Sequence, residues 1–198
     1  MKIVPYPHPA LRHPTKPLTA IDNKVRTAAA EMLDLMYDAH GLGLAAPQVA
    51  LPYQLFVMNF AGDPAKKEFE AVLINPAVVE RKGSVEGEEG CLSFPGLYQK
   101  VRRAKSVKVQ AYDLEGKEIL LEVAGTTPEE QLRSRVLQHE WDHLHGILFI
   151  DKMGPISKLS CRGALQQFER EYRRAQQRGE FPPDPEIEKM LSDLEQDI

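Results

Sequence analysis

The chain has 198 residues, 42% hydrophobic and 27% charged, which suits one globular domain and excludes a disordered or fibrous chain. No apolar run approaches the roughly 18 residues of a membrane span, and the opening MKIVPYPHPALRHP lacks the apolar stretch of a secretory signal, so the cytoplasm is the expected compartment. A net charge of −4 argues against broad nucleic-acid affinity, and the two cysteines, Cys91 and Cys161, are expected free, buried or metal-bound rather than paired.

Residues 1–20 contain Pro5, Pro7, Pro9, Pro14 and Pro17, and read as an extended, irregular arm. A helix follows, capped by Asp22, with Val25, Ala28, Met32, Leu35, Met36 and Ala39 on one face and Gly41 placed to end it. Short apolar runs at 55–58 and 71–74 read as strands, the second ending at Asn75-Pro76. Val101 to Tyr112 alternates in part and, across the turn Asp113-Leu114-Glu115-Gly116, pairs with Ile119 to Val123. Thr127-Pro128-Glu129-Glu130 starts a second helix that runs to about His145 and stops at Gly146. A last helix spans roughly Ser157 to Arg178, with Cys161, Leu165, Phe168, Tyr172 and Ala175 recurring at helical spacing. Residues 179–198, with three prolines and many acids, read as a mobile tail or a loosely attached short helix.

The chemistry concentrates in the second helix, at His139-Glu140-Trp141-Asp142-His143. Residues four apart on a helix are offset by only about 40°, so both imidazoles can face one cation. Glu140, about 100° from His139, can reach a water on that cation without ligating it. Two histidines leave a third ligand to be found. The spacing of a metzincin site fails because Phe149 stands where its third histidine belongs. Glu169 and Glu171 are available from the last helix but lack a supporting motif. Cys91, bracketed by Gly87, Gly90 and Gly96, can approach another element closely, although a small buried apolar residue is an equal reading of it. Cys161 falls on an apolar helix face and reads as core. The small-residue run Gly41-Leu42-Gly43-Leu44-Ala45-Ala46-Pro47-Gln48 allows close backbone approach and ends in an amide donor; it also reads as a tight helix-to-strand connection.

Taken together, G-x-G-x-A-A-x-Q at 41–48, E-G-C-L-S at 89–93 and Q-H-E-x-D-H at 138–143 resemble the three signature motifs of the peptide deformylases, in the family's order. Ile3-Val4, Leu11-Arg12 and Leu148-Phe149-Ile150-Asp151 extend the resemblance over about residues 1–175. It implies a metal-dependent hydrolase that removes the N-formyl group from the starting methionine of new polypeptides and releases formate. It also implies one divalent ion, Fe(II) most typically, with zinc, nickel or cobalt as substitutes, held by Cys91, His139 and His143. Such a site keeps a position for water, whose pKa falls toward about 7. Glu140 is then the acid/base, and the Gln48 amide and Leu92 N–H donate to the oxyanion. The peptide is expected along Leu42 and Gly43, with Gly90 and Arg103 also among the substrate-binding residues, although a solvated strand-end charge is an equal reading of Arg103, and with Val136 and Leu137 walling the methionine pocket.

The expected fold class is α+β, with antiparallel sheets around a central metal-binding helix flanked by an N-terminal and a C-terminal helix. The catalytic domain is expected over 1–178 and the acidic tail over 179–198. The last helix is basic, with Lys158, Arg162, Arg170, Arg173, Arg174 and Arg178 against Glu169 and Glu171, while the tail sets seven acids against Lys189. In the family a C-terminal helix can dock on the ribosome; a solvated face is the plainer reading of the same charges.

Overall fold

The computed structural model describes residues 1–197. Its elements in chain order are α1 (Asn23–Asp38), β1 (Gly43–Ala45), β2 (Leu55–Asn59), β3 (Glu70–Lys82), β4 (Val85–Gly90), β5 (Tyr98–Arg103), β6 (Ser106–Tyr112), β7 (Glu118–Val123), α2 (Pro128–His143), α3 (Pro155–Gln177) and α4 (Asp184–Leu194). Five strands form an antiparallel sheet in the order β1-β2-β3-β6-β7, and β4 and β5 form a separate hairpin. The fold is α+β, with α2 at its centre.

Strand β2, Leu-Phe-Val-Met-Asn, is buried along its whole length because helices cover both faces of the sheet. Alternate side chains point opposite ways. Leu55 and Val57 pack with Val25, Ala29, Met32 and Met36 of α1. Phe56 and Met58 pack with Val136 and Leu137 of α2. Each such side chain, fully buried, stabilises the fold by about 1.5–3 kcal/mol. The opposite side of α2 meets the β4–β5 hairpin, through Arg135 to the Val101 carbonyl (2.9 Å) and through the charged contacts described below. A helix covered on both sides keeps no solvent-exposed face there, and Ser134 to Glu140 are buried without a break although most of them are polar.

Capping follows the sequence signals. Asp22 Oδ1 accepts the Val25 N–H at 3.0 Å. Thr127 Oγ1 accepts the Glu130 N–H, and Glu130 Oε2 accepts the N–H of Thr126 and Thr127. At the end of α1, His40 takes the left-handed conformation expected of Gly41. Gly41 is needed for space instead, since a Cβ there would lie 2.8 Å from Leu92 Cδ1. The Asp113–Gly116 turn joins β6 to β7 as expected, with Asp113 Oδ1 accepting two backbone N–H groups.

Several expectations are corrected. The strand expected to stop at Asn75 continues to Lys82, because the register shifts between Ile74 and Ala77 and so places Pro76, which has no N–H, outside the ladder. Asn75 sits at φ 50° and exchanges hydrogen bonds of 2.8 Å with the Leu18 backbone. Val101 to Tyr112 is two strands in different sheets, β5 pairing with β4 and β6 with β3 and β7. Helix α3 begins two residues before Ser157, at Pro155. Within residues 179–197, the stretch expected to be mobile or loosely attached, α4 buries Ile187 and Leu191 against Ala10.

Candidate active site

Helix α2 points His139 and His143 toward the end of β4, where Cys91 follows Gly90. The two Nε2 atoms lie 3.2 Å apart, and Cys91 Sγ lies 3.4 Å from His143 Nε2. All three donor atoms are within 4.8 Å of one another. A tetrahedral ion, with bonds of about 2.05 Å to nitrogen and about 2.3 Å to sulfur, separates two nitrogens by about 3.3 Å and nitrogen from sulfur by about 3.6 Å. The observed spacings and the soft donor set fit such an ion. Cys161 is buried in the core cluster against which Cys91, Leu165 and Phe168 pack, and it is not among the three converging donors. Glu169 and Glu171 are exposed on α3 and outside the donor cluster.

A buried ionic network stands behind His139. Glu89 Oε1 accepts His139 Nδ1–H at 2.7 Å and Arg103 Nη2–H at 2.6 Å. Glu89 Oε2 accepts Arg103 Nε–H at 3.0 Å and Arg135 Nη1–H at 2.9 Å. Arg103 also pairs with Asp142, whose other oxygen lies 3.3 Å from Lys152 Nζ. Burial pushes the Glu89 carboxyl up, but the hydrogen bonds and charges of His139 and Arg103 outweigh it and hold the group well below the usual carboxylate range. The carboxylate fixes which nitrogen of His139 carries the proton and leaves Nε2 free for the centre. Among the described residues, His143 Nδ1 has no such partner.

Glu140 lies beside the donors, buried, with Oε2 unpartnered. Burial is the largest influence on its carboxyl and pushes it up to about 7. Gly43 makes room for it: a Cβ there would lie 2.6 Å from Glu140 Oε1. Gln48 sits in the short helical turn Ala46–Val49, where its Oε1 accepts the Ala45 N–H at 2.8 Å. That bond turns the amide NH2 toward Cys91 Sγ (3.4 Å) and Ser93 Oγ (3.5 Å). Among the described residues no backbone acceptor takes the Leu92 N–H.

These groups open onto a cleft of about 600 Å³, lined among others by Leu42, Gly43, Gly90, Leu92, Leu132 and Val136. Two expectations fail here. Arg103 does not line the cleft; it is 5% exposed beneath it, where two carboxylates neutralise it. Leu137 is fully buried on the sheet side of α2 and does not line the cleft, because a one-residue step turns it about 100° from Val136. The sequence reading missed Glu89, Arg135, Tyr98 and Leu132. Leu132, Arg135, Val136 and His139 share a helix stripe at three- and four-residue spacing, the one signal that could have found two of them.

A sequence profile described as polypeptide deformylase matches residues 1–159. The chain belongs to that family. The peptide deformylase of Rhodopirellula baltica is 39% identical over 195 residues, covering 98% of this chain and 94% of the relative. That of Alkalilimnicola ehrlichii is 39% identical over 173 residues, 87% of this chain and 93% of the relative. The crystal structure of peptide deformylase 1B from Arabidopsis thaliana superposes with a TM-score of 0.82 at 39% identity, covering 90% and 94% of the two chains. The Plasmodium falciparum peptide deformylase gives a TM-score of 0.80 at 39% identity, covering 87% and 97%. As a peptide deformylase, the chain is a metal-binding hydrolase that removes the N-formyl group from nascent polypeptides. No helix among the described residues is long and apolar enough to cross a membrane.

Proposed function

We propose that Cys91, His139 and His143 hold one divalent cation, natively Fe(II), with zinc, nickel or cobalt able to replace it, and that Glu140, Gln48 and Leu92 carry the chemistry around it. The observation behind this reading is the convergence of the three donor atoms next to a buried carboxylate whose Oε2 has no partner among the described residues. The cation supplies Lewis acidity, activating water and polarising the formyl oxygen. Glu140 takes a proton from the attacking water. As the bond between the formyl carbon and nitrogen breaks, it returns that proton to the leaving amine, and formate departs. A buried carboxyl with an oxygen free of other partners suits both transfers. The Gln48 amide and the Leu92 N–H donate to the oxyanion on the formyl carbon, each contributing about 2.7–4 kcal/mol to the barrier reduction.

The peptide main chain lies along Leu42 and Gly43, at the free edge of β1, which is an outer strand of the five-stranded sheet. Gly90 forms the facing wall, and the methionine side chain packs against Val136 and Leu132. Arg103 acts from beneath, on Glu89.

Anaerobic purification, metal analysis and formate release from formyl-Met-Ala-Ser, all on one sample, test this reading. One metal ion per chain and formate release without internal cleavage of casein are expected. Glu140→Ala should abolish turnover and keep the ion; surviving turnover would refute its role. We also place the enzyme in the cytoplasm, where fractionation should recover it. The basic α3 is the proposed ribosome contact, and removal of the acidic residues 179–198 should strengthen co-pelleting with ribosomes; unchanged or weaker pelleting counts against it.

A further inference from the structure

Gln48 and Leu92 lie on separate loops, and the N-terminal arm ties those loops together. The Val4 N–H donates to the Gln48 carbonyl at 2.8 Å, and the Tyr6 N–H donates to the Ser93 carbonyl at 2.9 Å. The Tyr6 ring stacks on Phe94 at 4.8 Å. An arm this rich in proline has few backbone donors of its own and needs external support to keep one position.

That support comes from the C-terminal end. Ile187 and Leu191 of α4 pack on Ala10 of the arm and on Ala50, two residues after Gln48. Ala50 holds φ 57°, a left-handed conformation that costs an alanine roughly 1 kcal/mol and persists only where packing enforces it. Phe181 packs edge-on against His8 at 5.5 Å, and Lys2 Nζ lies 4.3 Å over the same ring. Glu195 pairs with His13 and with Lys16, each at 2.9 Å. The matched family profile ends at residue 159, so α4 and most of α3 lie beyond it.

We propose that the segment from Phe181 to Glu195 is a positioning brace for deformylation: it fixes the arm and Ala50, and through them aligns the Gln48 amide with the Leu92 N–H. The inference rests on the proposed oxyanion role of Gln48. Misalignment of such donors weakens binding in the transition state more than in the ground state, so the loss should fall on kcat rather than KM.

The test is a double-mutant cycle. Chains lacking residues 179–198, with and without Gln48→Ala, are compared with the full chain on formyl-Met-Ala-Ser, well below each protein's unfolding midpoint and with metal content measured. Removal should lower kcat about tenfold, leave KM and metal content unchanged, and have less than about twofold effect once Gln48 is alanine. Ile187→Asp should reproduce the loss in the full chain and Ile187→Val should not; this pair decides the matter if the shortened chain does not fold. An unchanged kcat, a loss explained by metal or KM, or an equal loss in the Gln48→Ala background overturns the brace. A Gln48→Ala chain with unchanged kcat instead overturns the donor role itself.

Discussion

Glu89 shows how much one buried carboxylate can organise. It accepts hydrogen bonds from His139, Arg103 and Arg135, and so joins the metal-binding helix to both strands of the small hairpin. Glu89→Gln removes the charge that neutralises two buried guanidiniums. The expected cost is about 3–5 kcal/mol of stability and about 10–100-fold in metal affinity, measured by chemical denaturation and chelator competition. Gly43 is the opposite case, a residue that acts by having no side chain. Gly43→Ala puts a methyl group where Glu140 Oε1 now sits. Turnover should fall roughly 10²-fold with the fold and metal retained, as read by formate release and circular dichroism. The sequence revealed His139, Glu140, His143 and Cys91 because their spacing or their shared motif is local. Arg103 was visible as a residue and misread as a substrate contact: nothing in the order of residues shows that it lies under the cleft between Glu89 and Asp142.

At the scale of elements, α2 divides its work between its two sides. Val136 packs on the large sheet and also lines the cleft, whereas Leu137 is buried on the sheet alone. Leu137→Ala should cost about 2–5 kcal/mol of stability and leave KM alone, whereas Val136→Ala should raise KM for formyl-methionyl peptides with a smaller effect on stability. Thermal unfolding and steady-state kinetics on the two variants separate the roles. The first two helices were legible from their caps, Asp22 and Thr127, and the third from its apolar spacing. The strands were less so. Val85-Glu-Gly-Glu-Glu-Gly90 has almost no strand-forming residues and owes its conformation to its pairing with β5 and to Arg135 beneath it. Gly87 permits that approach, since a Cβ there would lie 2.7 Å from Arg135 Nη2. The passage of β3 through Asn75-Pro76 depends on a register shift that no local pattern announces.

Over the whole molecule, the two ends of the chain are joined by contacts between residues more than 150 positions apart, such as His13 with Glu195 and Tyr6 with Glu169. A short helix was one of two readings of residues 179–198, but its docking site on Ala10 and Ala50 lies outside any local window. The turn into α4 is held by Asp184, which accepts from Arg173 and Gln176 at 2.7 and 2.8 Å. Partial burial pushes the Asp184 carboxyl up, but these donors outweigh it and leave the group below its ordinary value of 3.8. Its stabilising contribution is therefore complete above that value and disappears as pH falls through the lowered one. Amide exchange in α4 should accelerate relative to α2 in that acidic window and not at pH 5 or above; equal acceleration in both helices would show that Asp184 has no local effect.

The bare backbone at Gly41, Gly43, Gly90 and Gly96 along the cleft bears on how widely the enzyme can serve. Where the proposed path of the peptide passes these glycines, the wall can grip what every polypeptide shares, its amides and carbonyls, and has little with which to tell one downstream residue from another. On the proposed path, selectivity would then concentrate on the first residue and its formyl cap. A catalyst built this way can attend to almost any newly made protein, which is what a single maturation step common to a whole proteome requires.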